Sequence, residues 1–110
     1  MPYDVELADR LRAMLSGQPD IVEKRMFGGV AFLVGGHMAV GASSKGGLML
    51  RVVPEQTEAL LAVPEAEPFE MRGKAMSGWL RVNLDGSCSD EELAPWVERG
   101  LAYVRSLPPK

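Results

Sequence analysis

At 110 residues the chain has room for one domain, expected to span residues 1–110, and none for separate cofactor and substrate lobes. With 46% hydrophobic and 25% charged residues it has the composition of a globular protein, not of a disordered one. Twelve Lys and Arg against fifteen Asp and Glu leave a net charge of −3, which counts against direct DNA binding, where a basic excess is the usual footprint. One cysteine excludes an internal disulfide, and one cysteine with one histidine argues against a zinc site of four N/S ligands, so no metal or other cofactor is expected. The N-terminus lacks the basic and apolar stretches of a signal peptide. No apolar run nears the roughly eighteen residues that span a bilayer. A cytoplasmic protein without membrane attachment is expected.

Residues 4–16 predict an amphipathic helix, with Leu7, Ala8, Leu11, Met14 and Leu15 on one stripe and Gly17 closing it. Residues 23–27 predict a strand, and Gly28-Gly29 a bulge or sharp bend, because glycine takes positive φ at little cost. Residues 30–34 and 37–42 read as two strands joined by a tight Gly35-Gly36 hairpin. Another strand is expected at 48–53. Pro54 then suits the first turn of a short helix over 55–62, with Ala59 and Leu60 inward and an acidic connector at 64–68. Residues 69–72 and 75–84 predict the last two strands; Met76, Gly78, Leu80 and Val82 form the inward phase. Ser89-Asp90-Glu91-Glu92 matches a capping box, with Cys88 and Leu93 as its staple. Pro95 leaves two starts open for the last helix, at Ser89 or near Pro95 itself. Strands grouped between helices indicate an α+β fold with an antiparallel sheet.

Few residues suggest chemistry. The glycine pairs match no phosphate-binding loop, since no GxGxxG, no Gly-Lys-Ser/Thr and no following helix accompany them. Cys88 sits at a staple position where burial is expected, and His37 beside a solvated turn, so a nucleophile–base pair is not expected. Met14, Met26, Met38, Met49, Met71 and Met76 fall at apolar positions of different elements and read as core filling. No catalytic residue is assigned. One charge feature stands out: residues 72–82 contain Arg72, Lys74 and Arg81 and no acid, with Trp79 among them. Lys24 and Arg25 add a second basic pair. Arg and Trp are enriched at binding hot spots, and Trp79 and Arg81 share one face of a strand. These six residues form the candidate surface for a protein partner.

Met26-Phe27-Gly28-Gly29, Phe32, Gly36-His37-Met38, Leu48-Met49-Leu50-Arg51, Pro68-Phe69 and Met76-Ser77-Gly78-Trp79 occur in one order, and Trp96 lies near the start of the last helix. This series is similar to the N-terminal domain of the TfoX/Sxy family, regulators of bacterial competence, with Met49 in place of the family's aromatic. The resemblance implies a curved antiparallel sheet flanked by helices, related in shape to secretion chaperones. It also implies no enzymatic activity and no cofactor. It implies a regulatory or interaction module acting in transcription through protein contacts, with no membrane role. A small-ligand or phosphate-binding domain using the basic sheet face is the alternative. Whether the chain is a monomer or a dimer is left open.

Overall fold

A computed structural model describes residues 4–26, 28–44, 46–71 and 73–108. Helix α1 (Val5–Leu15) begins where the Asp4 carboxylate accepts from the Leu7 amide at 3.0 Å. Its Leu7, Ala8, Leu11 and Leu15 are buried, and Gly17, just past the C-cap, has φ 82°. The same Asp4 accepts from the Gly86 amide at 3.0 Å, which ties the start of α1 to the loop ahead of the last helix.

Six strands follow: β1 (Ile21–Met26), β2 (Gly29–Val34), β3 (His37–Ala42), β4 (Leu48–Arg51), β5 (Ala66–Met71) and β6 (Lys74–Val82). They form an open sheet in the order β1-β2-β3-β4-β6-β5, with every neighbour antiparallel. The fold is α+β. Gly35 and Gly36, at φ 59° and 86°, make the expected tight hairpin turn between β2 and β3.

The earlier glycine pair works differently from its reading as a bend. Met26 pairs with Gly29, so the chain reverses there in a tight β1–β2 hairpin; Phe27 lies outside the described residues. Gly28 has φ 77°. Gly29 serves close approach instead, because a Cβ at that position would stand 2.1 Å from the Ala42 carbonyl oxygen. Further along, Phe32 faces Val40 but Leu33 faces Met38, which leaves Ala39 as the extra residue of a β-bulge.

Several expected boundaries shift, each for a local reason. The helix over 55–62 contracts to a 3-10 turn, Pro54–Gln56, and one α-turn, α2 (Thr57–Leu60), in which Ala59 is exposed. The buried Thr57 hydroxyl donates to the Pro54 carbonyl at 2.8 Å and accepts from the Gly78 amide at 2.9 Å, clamping this turn onto β6. The acidic connector yields its second half to β5, which admits Pro68 because an edge strand spares one N–H. Gly78, at φ 85°, interrupts the alternation of β6, so Met76 is exposed instead of inward.

Helix α3 (Asp90–Arg105) starts at Ser89, whose hydroxyl accepts from the Glu92 amide at 3.1 Å while Glu92 returns a bond to the Ser89 amide. Pro95 lies inside the helix without ending it, which decides between the two expected starts. Leu93, Val97, Gly100, Leu101 and Val104 face the core. There, α1 and α3 pack with Val40, Leu48, Leu50, Leu80 and Val82 from one sheet face. The opposite alternation of the strands carries a second, smaller cluster of Ala31, Met38, Met49 and Phe69, with Leu33 and Trp79 partly buried against it. Met38 and Met49 are core filling, as the sequence suggests; the side chains of Met26 and Met71 lie outside the described ones.

Arg12 on α1 donates to both oxygens of Glu23 on β1, at 2.7 and 2.8 Å. This hydrogen bond holds the Glu23 carboxyl below its ordinary pKa. A depressed carboxyl stabilises the fold above its unfolded pKa and loses that contribution as pH falls through the folded one. Both groups are largely exposed, so Glu23→Gln should cost only about 0.5 kcal/mol at neutral pH and nothing in strong acid, as urea titrations at the two pH values would read.

The tight glycines predict larger effects. Gly29→Ala should lower stability by about 2–3 kcal/mol in urea unfolding, since the new methyl meets backbone that cannot turn aside. At Gly46 a Cβ meets nothing within 4 Å, so Gly46→Ala should cost only about 1 kcal/mol for its φ of 85°. Equal midpoints for the two variants would contradict this account.

Candidate interaction surface

The five described residues of the expected surface do not form one patch. Lys24 and Arg25 lie on β1 at one edge of the sheet, with β2, β3 and β4 between them and β6. At about 4.8 Å per strand this puts roughly 19 Å between the two groups. Lys24 and Arg25 also alternate to opposite faces, and charges on an edge strand discourage unwanted pairing. Lys74 is exposed opposite Met71 at the far end of the β5–β6 pair, and Arg72 lies outside the described residues.

Trp79 and Arg81 do share a face, across from Arg51 and Met49 of β4. Arg81 is already engaged: it donates to Glu67 at 3.3 Å and to Asn83 at 2.8 Å, and Asn83 also bonds Glu67. Trp79 stacks on Phe69 with ring centroids 5.6 Å apart and an interplanar angle of 27°. Over its ring, 4.9 Å from the centroid, sits the guanidinium carbon of Arg51. That same carbon lies 5.6 Å from the ring centroid of Tyr103 on α3. Arg51 is therefore a cation in contact with two aromatic rings, one from the sheet and one from the helix. Its Nε is buried without a hydrogen-bond partner, and among the described residues it forms no ion pair.

Sequence reasoning missed Arg51 as a site residue and noted it only as the end of Leu48-Met49-Leu50-Arg51. The available signal was a lone cation closing an apolar strand. Its meaning needs the β4–β6 register, which no local pattern supplies.

Cys88 and His37 are held apart. His37 Nε2 lies 2.8 Å from the Pro108 carbonyl oxygen, beyond the C-terminal end of α3, whereas Cys88 immediately precedes its N-cap. A helix of 16 residues separates those ends by about 24 Å. Burial pushes the Cys88 thiol above its ordinary pKa despite the nearby Arg10 guanidinium, whose Nη1 lies 3.7 Å from the sulfur. Less thiolate at a given pH means a poorer nucleophile. Alkylation of Cys88 by iodoacetamide should thus be slower in the folded chain than in the urea-unfolded chain, with its pH profile displaced upward. A folded chain that reacts faster at neutral pH would contradict the inert reading. Among the described residues no three His, Cys, Asp or Glu side chains gather to hold a metal, and no helix is long and apolar enough to cross a membrane.

The β-hairpins, the Leu-Met-Leu-Arg strand beside Trp79, and Trp96 of the closing helix all fall within residues 13–103, which match the model of the TfoX N-terminal domain. The chain belongs to the TfoX N-terminal domain family. That family suggests a competence-related regulatory domain. Comparison with curated proteins gives no match, and comparison with solved structures gives none either. In this TfoX-type domain, Met49 is buried in the second cluster together with Met38.

Proposed function

We propose that this TfoX-type domain is a non-enzymatic module that regulates transcription through contacts with another protein. The carrying observation is Trp79, half-buried and fixed between Phe69 and Arg51. A rigid aromatic with part of its surface exposed loses little entropy on contact, which is what a binding anchor requires. The alternative, a phosphate site on the basic sheet face, is disfavoured by Arg81, whose charge Glu67 already meets.

An affinity-tagged chain should recover a discrete protein from a lysate of its native cells. Trp79→Ala should lose that protein, with circular dichroism showing a folded chain, while Lys24→Glu/Arg25→Glu should retain it. Recovery by Trp79→Ala and loss by the double variant would transfer the contact to the β1 edge. No recovered protein from the unaltered chain would remove the reading.

A further inference from the structure

We propose that a groove along α3 receives an acidic, apolar peptide segment of a partner protein, with Arg51 and Arg99 taking its carboxylates. The inference rests on the protein-contact reading above and names the chemistry that such a partner would present.

The groove has a volume of about 530 Å³. One wall is the stripe Pro95, Arg99, Ala102 and Tyr103 of α3, which adjoins the buried stripe; the other is Val53 and Gln56, just past β4. Val53 lies two residues beyond Arg51 and, like it, is half-buried, whereas Val52 between them is fully buried. Tyr103 lines the groove and also touches the Arg51 guanidinium, which brings that cation against a groove wall although Arg51 does not itself line the groove.

Charge indicates what is missing. Arg10, Arg12, Arg81 and Arg105 each have a carboxylate partner. Among the described residues Arg25, Arg51 and Arg99 have none, although the chain as a whole is acidic; Arg25 lies on the edge strand β1, whereas Arg99 lines the groove and Arg51 touches its Tyr103. With ring contacts restraining the Arg51 plane, its terminal N–H groups remain as donors, and their fork matches a carboxylate. Holding that plane in advance lowers the entropy lost on binding.

The occupant is a peptide and not a nucleic acid, because the surroundings are only locally positive. Glu98 stands on the groove wall beside Arg99, and Glu55 and Glu58 line the hollow on the other side of Trp79. A uniformly charged phosphate backbone would meet those three acids. Single carboxylates flanked by apolar residues would meet the two arginines and the Val53–Ala102 walls.

The test is selection of short random peptides, displayed on phage, against the intact chain. Enriched peptides should carry Asp or Glu beside apolar residues. A synthetic copy, followed by fluorescence anisotropy, should bind about tenfold more weakly to Arg99→Gln and to Arg51→Gln, and several-fold more tightly to Glu98→Gln. Arg99 is exposed, so its variant remains informative even if Arg51→Gln disturbs the fold. No enrichment, enrichment of basic peptides, or affinities that neither arginine variant changes would overturn the proposal. So would a single-stranded oligonucleotide that binds as tightly as the peptide and is lost by the same variants. Native-lysate recovery separates the two levels: if Arg51→Gln/Arg99→Gln still recovers the partner, the groove fails and the protein-contact reading stands.

Discussion

A carbon atom added at position 100 would stand 2.7 Å from the Ala39 carbonyl oxygen, so α3 can lie this low on the sheet only because that position is glycine. Two devices meet there. The bulge at Ala39 inserts an unpaired residue into β3, and Gly100 lets the helix settle onto it. Helix height then fixes everything one turn onward. Tyr103 follows Gly100 by three residues, on an adjoining stripe of the same turn, and comes to rest against Arg51. Had the helix stood off by a methyl group, the contact between the Tyr103 ring and the sheet's arginine would have opened. Packing in the core and geometry at the surface are thus set by one close backbone approach.

Features governed by nearby residues were legible in the sequence. The Ser89–Glu92 capping box, the Gly35-Gly36 turn and the buried stripe of α1 each depend on residues within about four positions of one another, and each is present. Features governed by distant partners were not. β6 inserts between β4 and β5, so the last two strands add to the sheet in reverse order. That insertion sets Trp79 across from Arg51 and Arg81 between Met49 and Glu67. An acid-free run along the chain cannot reveal that an acid lies on the next strand. The expected basic surface failed as a single patch for this reason, while the shared face of Trp79 and Arg81 followed from strand alternation alone.

Gly78 shows the same divide within one residue. Its type was noticed, but as one member of an inward alternation. Its conformation answers to a neighbour: the Thr57 hydroxyl accepts its amide, and the Val52 amide donates to its carbonyl at 2.9 Å. A positive φ there re-aims β6, so the residues before it leave the core phase and those after it regain it. The kink frees Met76 toward solvent and aligns Trp79 with β4.

Why a cation and not a leucine ends β4 follows from the same geometry. Arg51 lies where the core gives way to solvent, with a ring from each layer to cover it. An apolar side chain would bury more area, but it would leave the π faces of Trp79 and Tyr103 without the charge they attract. Contact of a guanidinium with one ring contributes about 0.5–2 kcal/mol, depending on how far water is excluded. Two rings make the position tolerable for a charge without a carboxylate. They do not neutralise it, because a ring quadrupole attracts a cation without cancelling its field. The four ion-paired arginines have spent their charge within the fold, whereas this one keeps its own against the wall of a groove.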